Sequence, residues 1–136
     1  MERLYRKYKD IAEFRIVYIR EAHPLDGRRP SRQAREKGID QPTTRNERCK
    51  TAEILVAEGE LTIPIIIDSM KNEVDQAYSA KPDRAFLVDK DGNIGVAGGR
   101  GPRGFGPALD DIEDWLKRYR RELESDPMRK TGSRTN

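Results

Sequence analysis

Phe14-Arg15-Ile16-Val17-Tyr18-Ile19-Arg20-Glu21-Ala22-His23-Pro24 is the stretch whose reading decides the fold. Phe14 to Ile19 is mostly apolar and rich in β-branched and aromatic residues, the composition of a buried strand. It runs straight into a loop carrying Glu21 and His23, and His23 is the single histidine of the chain. In open α/β sheets, ligands bind just beyond the carboxyl ends of the strands. An imidazole placed there suits proton transfer, because its ordinary pKa lies near neutrality. Glu21 beside it fits a supporting acid/base or hydrogen-bonding role.

Outward from this strand, Met1 to Lys9 sets Leu4, Tyr5 and Tyr8 at helical spacing among charges. No entry signal precedes them, so the pattern reads as the second half of a helix. Glu21 to Gln41 is polar and rich in Pro and Arg: a long loop, with Arg32 to Lys37 as the place for a short helix. Thr44-Arg45-Asn46-Glu47 is a capping box. The helix it opens carries Arg48, Cys49, Ala52, Leu55 and Val56, and Gly59 suits the position just past its end. Leu61 to Ile67 predicts a second strand, with Pro64 at an edge or at the strand's start. Asp68 or Ser69 can cap a short helix whose inner face is Val74, Ala77 and Tyr78.

Ala85 to Val88 predicts a third strand and Asn93 to Ala97 a fourth, joined by a two-residue Asp91-Gly92 hairpin turn. Pro107 sits in the first turn of a last helix. There Leu109, Ile112, Leu116, Tyr119 and Leu123 step by three and four to give one apolar stripe. Acids in its first turns and bases in its later ones match the helix dipole. The order α-β-α-β-α-β-β-α predicts an α/β three-layer domain over residues 1–124. Residues 125–136 carry no apolar pattern and read as a disordered basic tail.

Length and composition set the bounds. At 136 residues the chain is one domain, with 35% hydrophobic and 38% charged residues. The net charge of +3 is unevenly placed: from Lys117 onward seven basic residues meet three acidic ones. The rest is near neutral, so the charge gives no support for nucleic-acid binding. No run approaches the roughly 20 apolar residues that span a bilayer, and the first residues have no signal-peptide core. A cytoplasmic protein with no membrane partner is the expectation. One cysteine, Cys49, excludes an internal disulfide and a cysteine-based zinc site within one chain. One histidine excludes most multi-histidine metal sites.

Three further signals have ordinary explanations. Gly99-Arg100-Gly101-Pro102-Arg103-Gly104 fits G-x-G-x-x-G, but the motif needs a βαβ unit and only one helix follows. A tight loop that exploits glycine's backbone freedom is the simpler reading. Arg28, Arg29, Arg32, Arg35 and Lys37 have no interleaved aromatics for base stacking and read as a solvated loop. Cys49, on the apolar side of its helix with Ala52 and Val56, reads as a small buried hydrophobe.

Several segments together resemble the iodothyronine deiodinase family and its bacterial homologues. They are Val17 to Pro24, followed by Asp26-Gly27; Arg48-Cys49; Pro64; Asp68-Ser69-Met70 before Asn72; Ala77-Tyr78; and Arg84-Ala85-Phe86. Gly98-Gly99, Gly101-Pro102, Gly104-Phe105 and Trp115-Leu116 complete the set. The resemblance covers Met1 to Leu116, and Glu21-Ala22-His23-Pro24 is its most specific part. It implies a thioredoxin-like fold in its peroxiredoxin-like variant, a three-layer sandwich. It also implies an oxidoreductase that removes iodine reductively from a halogenated phenol, with no bound cofactor and a thiol reductant as cosubstrate. In that chemistry a selenocysteine or cysteine attacks, and a histidine of this loop assists proton or halogen transfer. The match carries His23, and by association Glu21, into the site.

The resemblance also implies what the chain departs from. The family's nucleophile falls upstream of Met1, so no residue here holds that place. Its strand lies mid-sheet, between Phe14–Ile19 and Ala85–Val88. Without it those two strands either pair directly or keep unsatisfied edges, which favours a homodimer. A selenocysteine UGA codon read as a stop would place a restart at Met1. Arg28 stands where a tryptophan often follows Asp-Gly, and Pro42 where a second histidine falls near Gln41. The chain alone is expected to be inactive, and the alternative is a nonenzymatic thioredoxin-fold interaction module.

Overall fold

The computed structural model describes residues 1–126. The elements are α1 (Glu2–Tyr8), β1 (Ile16–Tyr18), α2 (Arg32–Lys37), α3 (Arg45–Gly59), β2 (Ile65–Ile67), α4 (Glu73–Tyr78), β3 (Phe86–Val88), β4 (Ile94–Ala97) and α5 (Phe105–Ser125). The mixed α/β class and the element order match the expectation. The tail expected from residue 125 begins inside α5, and residues 127–136 lie outside the described part.

The strands are shorter than the apolar runs that predicted them. Phe14 leaves the strand to pack edge-on against Tyr5, with ring centroids 5.7 Å apart, and joins the core beneath α1. Pro64 stands at the entrance of β2, where its carbonyl accepts from Ile16 N–H at 3.0 Å. β1 and β2 pair in parallel, Val17 opposite Ile66. β3 and β4 pair antiparallel, Leu87 opposite Val96.

Among the described residues these pairs remain two separate two-stranded sheets. Ile16 N–H reaches Pro64, and Tyr18 O accepts from Asp68 N–H at 2.9 Å. The alternate residues Val17 and Ile19 therefore turn their backbone groups away from β2. On the other ribbon, Gly98 N–H donates to Ala85 O at 2.9 Å and Asp89 N–H to Asn93 O at 2.8 Å. Phe86 and Val88 then point theirs away from β4. Of the two outcomes foreseen for β1 and β3, direct pairing or free edges, the second holds.

The hairpin differs from expectation. Asp89 N–H closes on Asn93 O, which leaves a three-residue loop, Lys90-Asp91-Gly92. Gly92 alone in it has a left-handed backbone, φ 86°. A two-residue Asp-Gly turn needs positive φ at both positions. Here Asp89 Oδ1 instead accepts the N–H groups of Asp91 and Asn93, each at 2.9 Å. α3 also ends one residue late. Glu60 takes the left-handed cap, φ 46°, while Gly59 lies under Leu61, whose Cγ stands 2.9 Å from where a Cβ would be.

The main core joins α1 to α5. Leu4 and Tyr8 meet Ala108, Ile112 and Leu116, with Ala85 between them. The predicted stripe of α5 is right but incomplete, because Glu113 is buried in it too. Arg3 Nη2 at 2.7 Å and Lys7 Nζ at 2.9 Å, from α1, pair with that carboxylate. The glycine loop is closed on itself. A Cβ on Gly101 would fall 1.7 Å from Asp83 Oδ1, and one on Gly104 2.3 Å from the Gly99 carbonyl carbon. Close chain approach explains both glycines.

Two predictions follow from these contacts. Hydrogen bonds from Arg3 and Lys7 hold the Glu113 carboxyl down at about 2, against an ordinary 4.5. A depressed carboxylate stabilises the fold above its unfolded value and loses that contribution as pH falls. The stability gap between wild type and Glu113→Gln is therefore full at pH 7. It closes between about pH 4.5 and 2, as urea titrations at each pH will read. Gly104→Ala forces its methyl into the Gly99 backbone and costs about 2 kcal/mol, seen as a lower Tm.

Candidate active site

β1 delivers its last residues to the edge of a cleft of about 240 Å³. Val17, Ile19 and Glu21 line one side, Ile54 and Leu55 of α3 another, and Pro82 a third. Every residue of β1 and its exit as far as Ala22 thus borders this cleft, Glu21 among them.

Glu21 is half-buried. Its Oε1 accepts a hydrogen bond from the hydroxyl of Tyr18. Burial first, then that bond and the Glu21 charge, push the Tyr18 phenol far above its ordinary value, and Arg48 opposes them. Tyr18 therefore remains a proton donor across the neutral range. The main chain of Glu21 is held by Gln41: Glu21 N–H donates to Oε1 at 3.0 Å, and Nε2 donates to Glu21 O at 3.0 Å.

His23 is exposed, and its Nδ1 lies 3.0 Å from the carbonyl of Arg29. A carbonyl only accepts, so Nδ1 carries a hydrogen, and in the neutral ring the lone pair then lies on Nε2. The two residues singled out from the sequence share one loop, yet each faces its own partner. Glu21 and His23 make no hydrogen bond to each other among the described residues. Cys49 is half-buried on α3, and it does not line the cleft, where Thr51, Ile54 and Leu55 stand. No group of three metal-ligating side chains forms among the described residues.

Beneath the cleft lies a charged network that the sequence reading missed. Asp68, 3% exposed, accepts the N–H groups of Ser69 at 2.8 Å, Val74 at 3.0 Å and Asp75 at 3.1 Å. Asp75, also 3% exposed, takes Arg20 Nε at 2.6 Å and Lys81 N–H at 3.1 Å. Arg48, 2% exposed, donates to the carbonyls of Asp68 and Ser69 and to Asn72 Oδ1. Sequence reasoning put Val74, Ala77 and Tyr78 on the inner face of α4. Ala77 and Tyr78 are exposed, and Asp75 faces inward because Arg20 and a backbone amide satisfy it.

The family model of iodothyronine deiodinase matches residues 1–120. The chain belongs to the iodothyronine deiodinase family. It is 34% identical over 125 residues to thyroxine 5-deiodinase of Sparus aurata, covering 90% of this chain and 43% of that protein. It is 34% identical over 123 residues to the enzyme of Gallus gallus, 90% and 45%. To that of Homo sapiens it is 33% identical over 122 residues, 90% and 38%. The chain spans less than half the length of these vertebrate relatives.

In this deiodinase-family chain Asp68 ties the end of β2 to the start of α4. Asp68→Ala strips the acceptor from three amides, and leaving such groups unpaired costs on the order of 1–3 kcal/mol each where they are buried. Part of that is recovered from solvent at the half-buried Val74 and Ser69. The expected net loss is about 3 kcal/mol, read from the urea midpoint.

Proposed function

We propose that the chain forms most of a thioredoxin-like, three-layer oxidoreductase domain that removes halogen reductively from a phenol-like substrate. The free edge of β1 and the cleft that β1 borders, with Glu21 in its lining and His23 just beyond, carry this reading. An added strand in that space would complete the sheet between β1 and β3 and present a nucleophile beside both residues. The chain holds one thiol, Cys49, and it stands off the cleft, so the family resemblance implies a nucleophile that the given residues do not supply.

The net change balances with two thiols. The aryl–iodine bond breaks, the ring carbon takes a proton, the thiols join as a disulfide, and hydrogen iodide leaves. The enzyme's selenolate or thiolate accepts the iodine first, and thiol reductant returns it to the reduced form. No bound cofactor is needed. His23, with a bare Nε2, is the acid/base group, and Glu21 supports the loop's polarity. The cytoplasm, where thiols are kept reduced, suits this cycle. Unfilled, the two edges favour pairing between copies of the chain.

The test measures iodide released from an iodinated phenol with a dithiol present. The 136-residue chain alone is expected to release none. The chain extended through the codons preceding Met1 is expected to turn over, and His23→Ala in that form to lower the rate about 100-fold, as loss of an acid/base group does. Release by the short chain that Cys49→Ser abolishes would overturn the assignment of the nucleophile. An extended chain that folds and stays inactive would favour a nonenzymatic interaction module.

A further inference from the structure

Gln41 was passed over in the sequence as one polar residue at the end of a long loop. Its side-chain amide makes a two-point pairing with the peptide unit of Glu21, twenty positions earlier: it accepts from the N–H and donates to the C=O, both at 3.0 Å. This mimics one rung of a β-ladder. The main-chain N–H of Gln41 is itself held by Asp26 Oδ1 at 2.9 Å. Beside it Leu25 N–H donates to Ile39 O at 2.7 Å. Residues 21–26 are thus clasped to residues 39–41 at both ends, with Ala22, His23 and Pro24 inside the clasp.

Within that closed span His23 has little freedom. Its carbonyl accepts from Ser31 N–H at 3.0 Å, Pro24 is buried, and its Nδ1 faces the Arg29 carbonyl. We propose that Gln41 is a positioning residue of the His23 loop: its amide clasp on Glu21 holds His23 as the Nδ1–H tautomer, with Nε2 unprotonated and open to the substrate. The role needs a neutral side chain with one acceptor and one donor at this reach. Glutamate keeps only the acceptor, and methionine of similar length keeps neither. The proposal deepens the acid/base reading of His23 and rests on it for its catalytic meaning, while the tautomer itself is a property of the folded chain.

The single histidine makes the measurement direct, because the ring nitrogens give one pair of signals. In wild type labelled with ¹⁵N-histidine, at a pH where the ring is neutral, the shifts are expected to report the Nδ1–H form. In Gln41→Met they are expected to move toward the Nε2–H form that free imidazoles prefer. The Glu21 amide should exchange about 10-fold faster, the loss of roughly one net hydrogen bond. Gln41→Glu should recover part of that protection. Asp26→Ala, which frees only the Gln41 main chain, should shift both readouts the same way and serves if Gln41→Met fails to fold. Wild type in the Nε2–H form, or folded variants with unchanged tautomer and exchange, would overturn the proposal. Neither readout depends on iodide release, so a failure of the dehalogenation reading would leave this result standing by itself.

Discussion

Two buried carboxylates, Asp68 and Asp75, hold the carboxyl end of the β1–β2 sheet together. Burying a charge is tolerated only when hydrogen bonds and counter-charges replace the lost water. Here the replacement comes from the N–H groups of Ser69, Val74, Asp75 and Lys81 and from the Arg20 guanidinium, while Arg48 ties down the Asp68 and Ser69 carbonyls and Asn72 beside them. Asp68 ends β2 and turns the chain into α4. Asp75 ties that helix back to Arg20, the residue between β1 and the Glu21 loop, and to Lys81, next to Pro82 at the cleft. The exit of β1 and the end of β2 are therefore set by one electrostatic arrangement. Remove either carboxylate and the buried amides it accepts from lose their partner.

The reach of sequence reasoning was uneven, and the reasons are physical. The capping box at Thr44 was legible because its donors and acceptors are three residues apart, and both reciprocal bonds form. The stripe of α5 was legible because burial there follows the 3.6-residue period. Glu113 escaped that rule, since its partners Arg3 and Lys7 come from the other end of the chain. Asp75 escaped for the same reason: an acid reads as exposed until the distant Arg20 is placed beside it. The Asp91-Gly92 turn was located but mistyped, because the Asp89 side chain, outside the dipeptide, captured the loop amides. For the site, position along β1 pointed to Glu21 and His23. The partners that orient them, Tyr18, Gln41 and Arg29, became visible only once the loop had a shape.

The molecule is built as two ribbons, each backed by its own helices. β3 and β4 pack on α5, and Gly95 allows the ribbon to bulge there, since a Cβ would lie 3.1 Å from the Trp115 ring nitrogen. β1 and β2 pack beside α3. Among the described residues the ribbons share no ladder, and Val17, Ile19, Phe86 and Val88 turn their backbone groups away from their partner strands.

The α1–α5 core has a consequence for how the polypeptide reaches this state. Leu4 and Tyr8 stand far earlier in the sequence than Ala108, Ile112 and Leu116, which they pack against. Contacts of this separation form slowly, because the intervening loop must first be closed. On the ribosome, α1 waits with its apolar face uncovered until α5 has emerged. During that interval the nascent protein exposes Leu4 and Tyr8 to any passing hydrophobic surface, the setting in which chaperone capture competes with folding. The last helix is thus what releases the first from that risk.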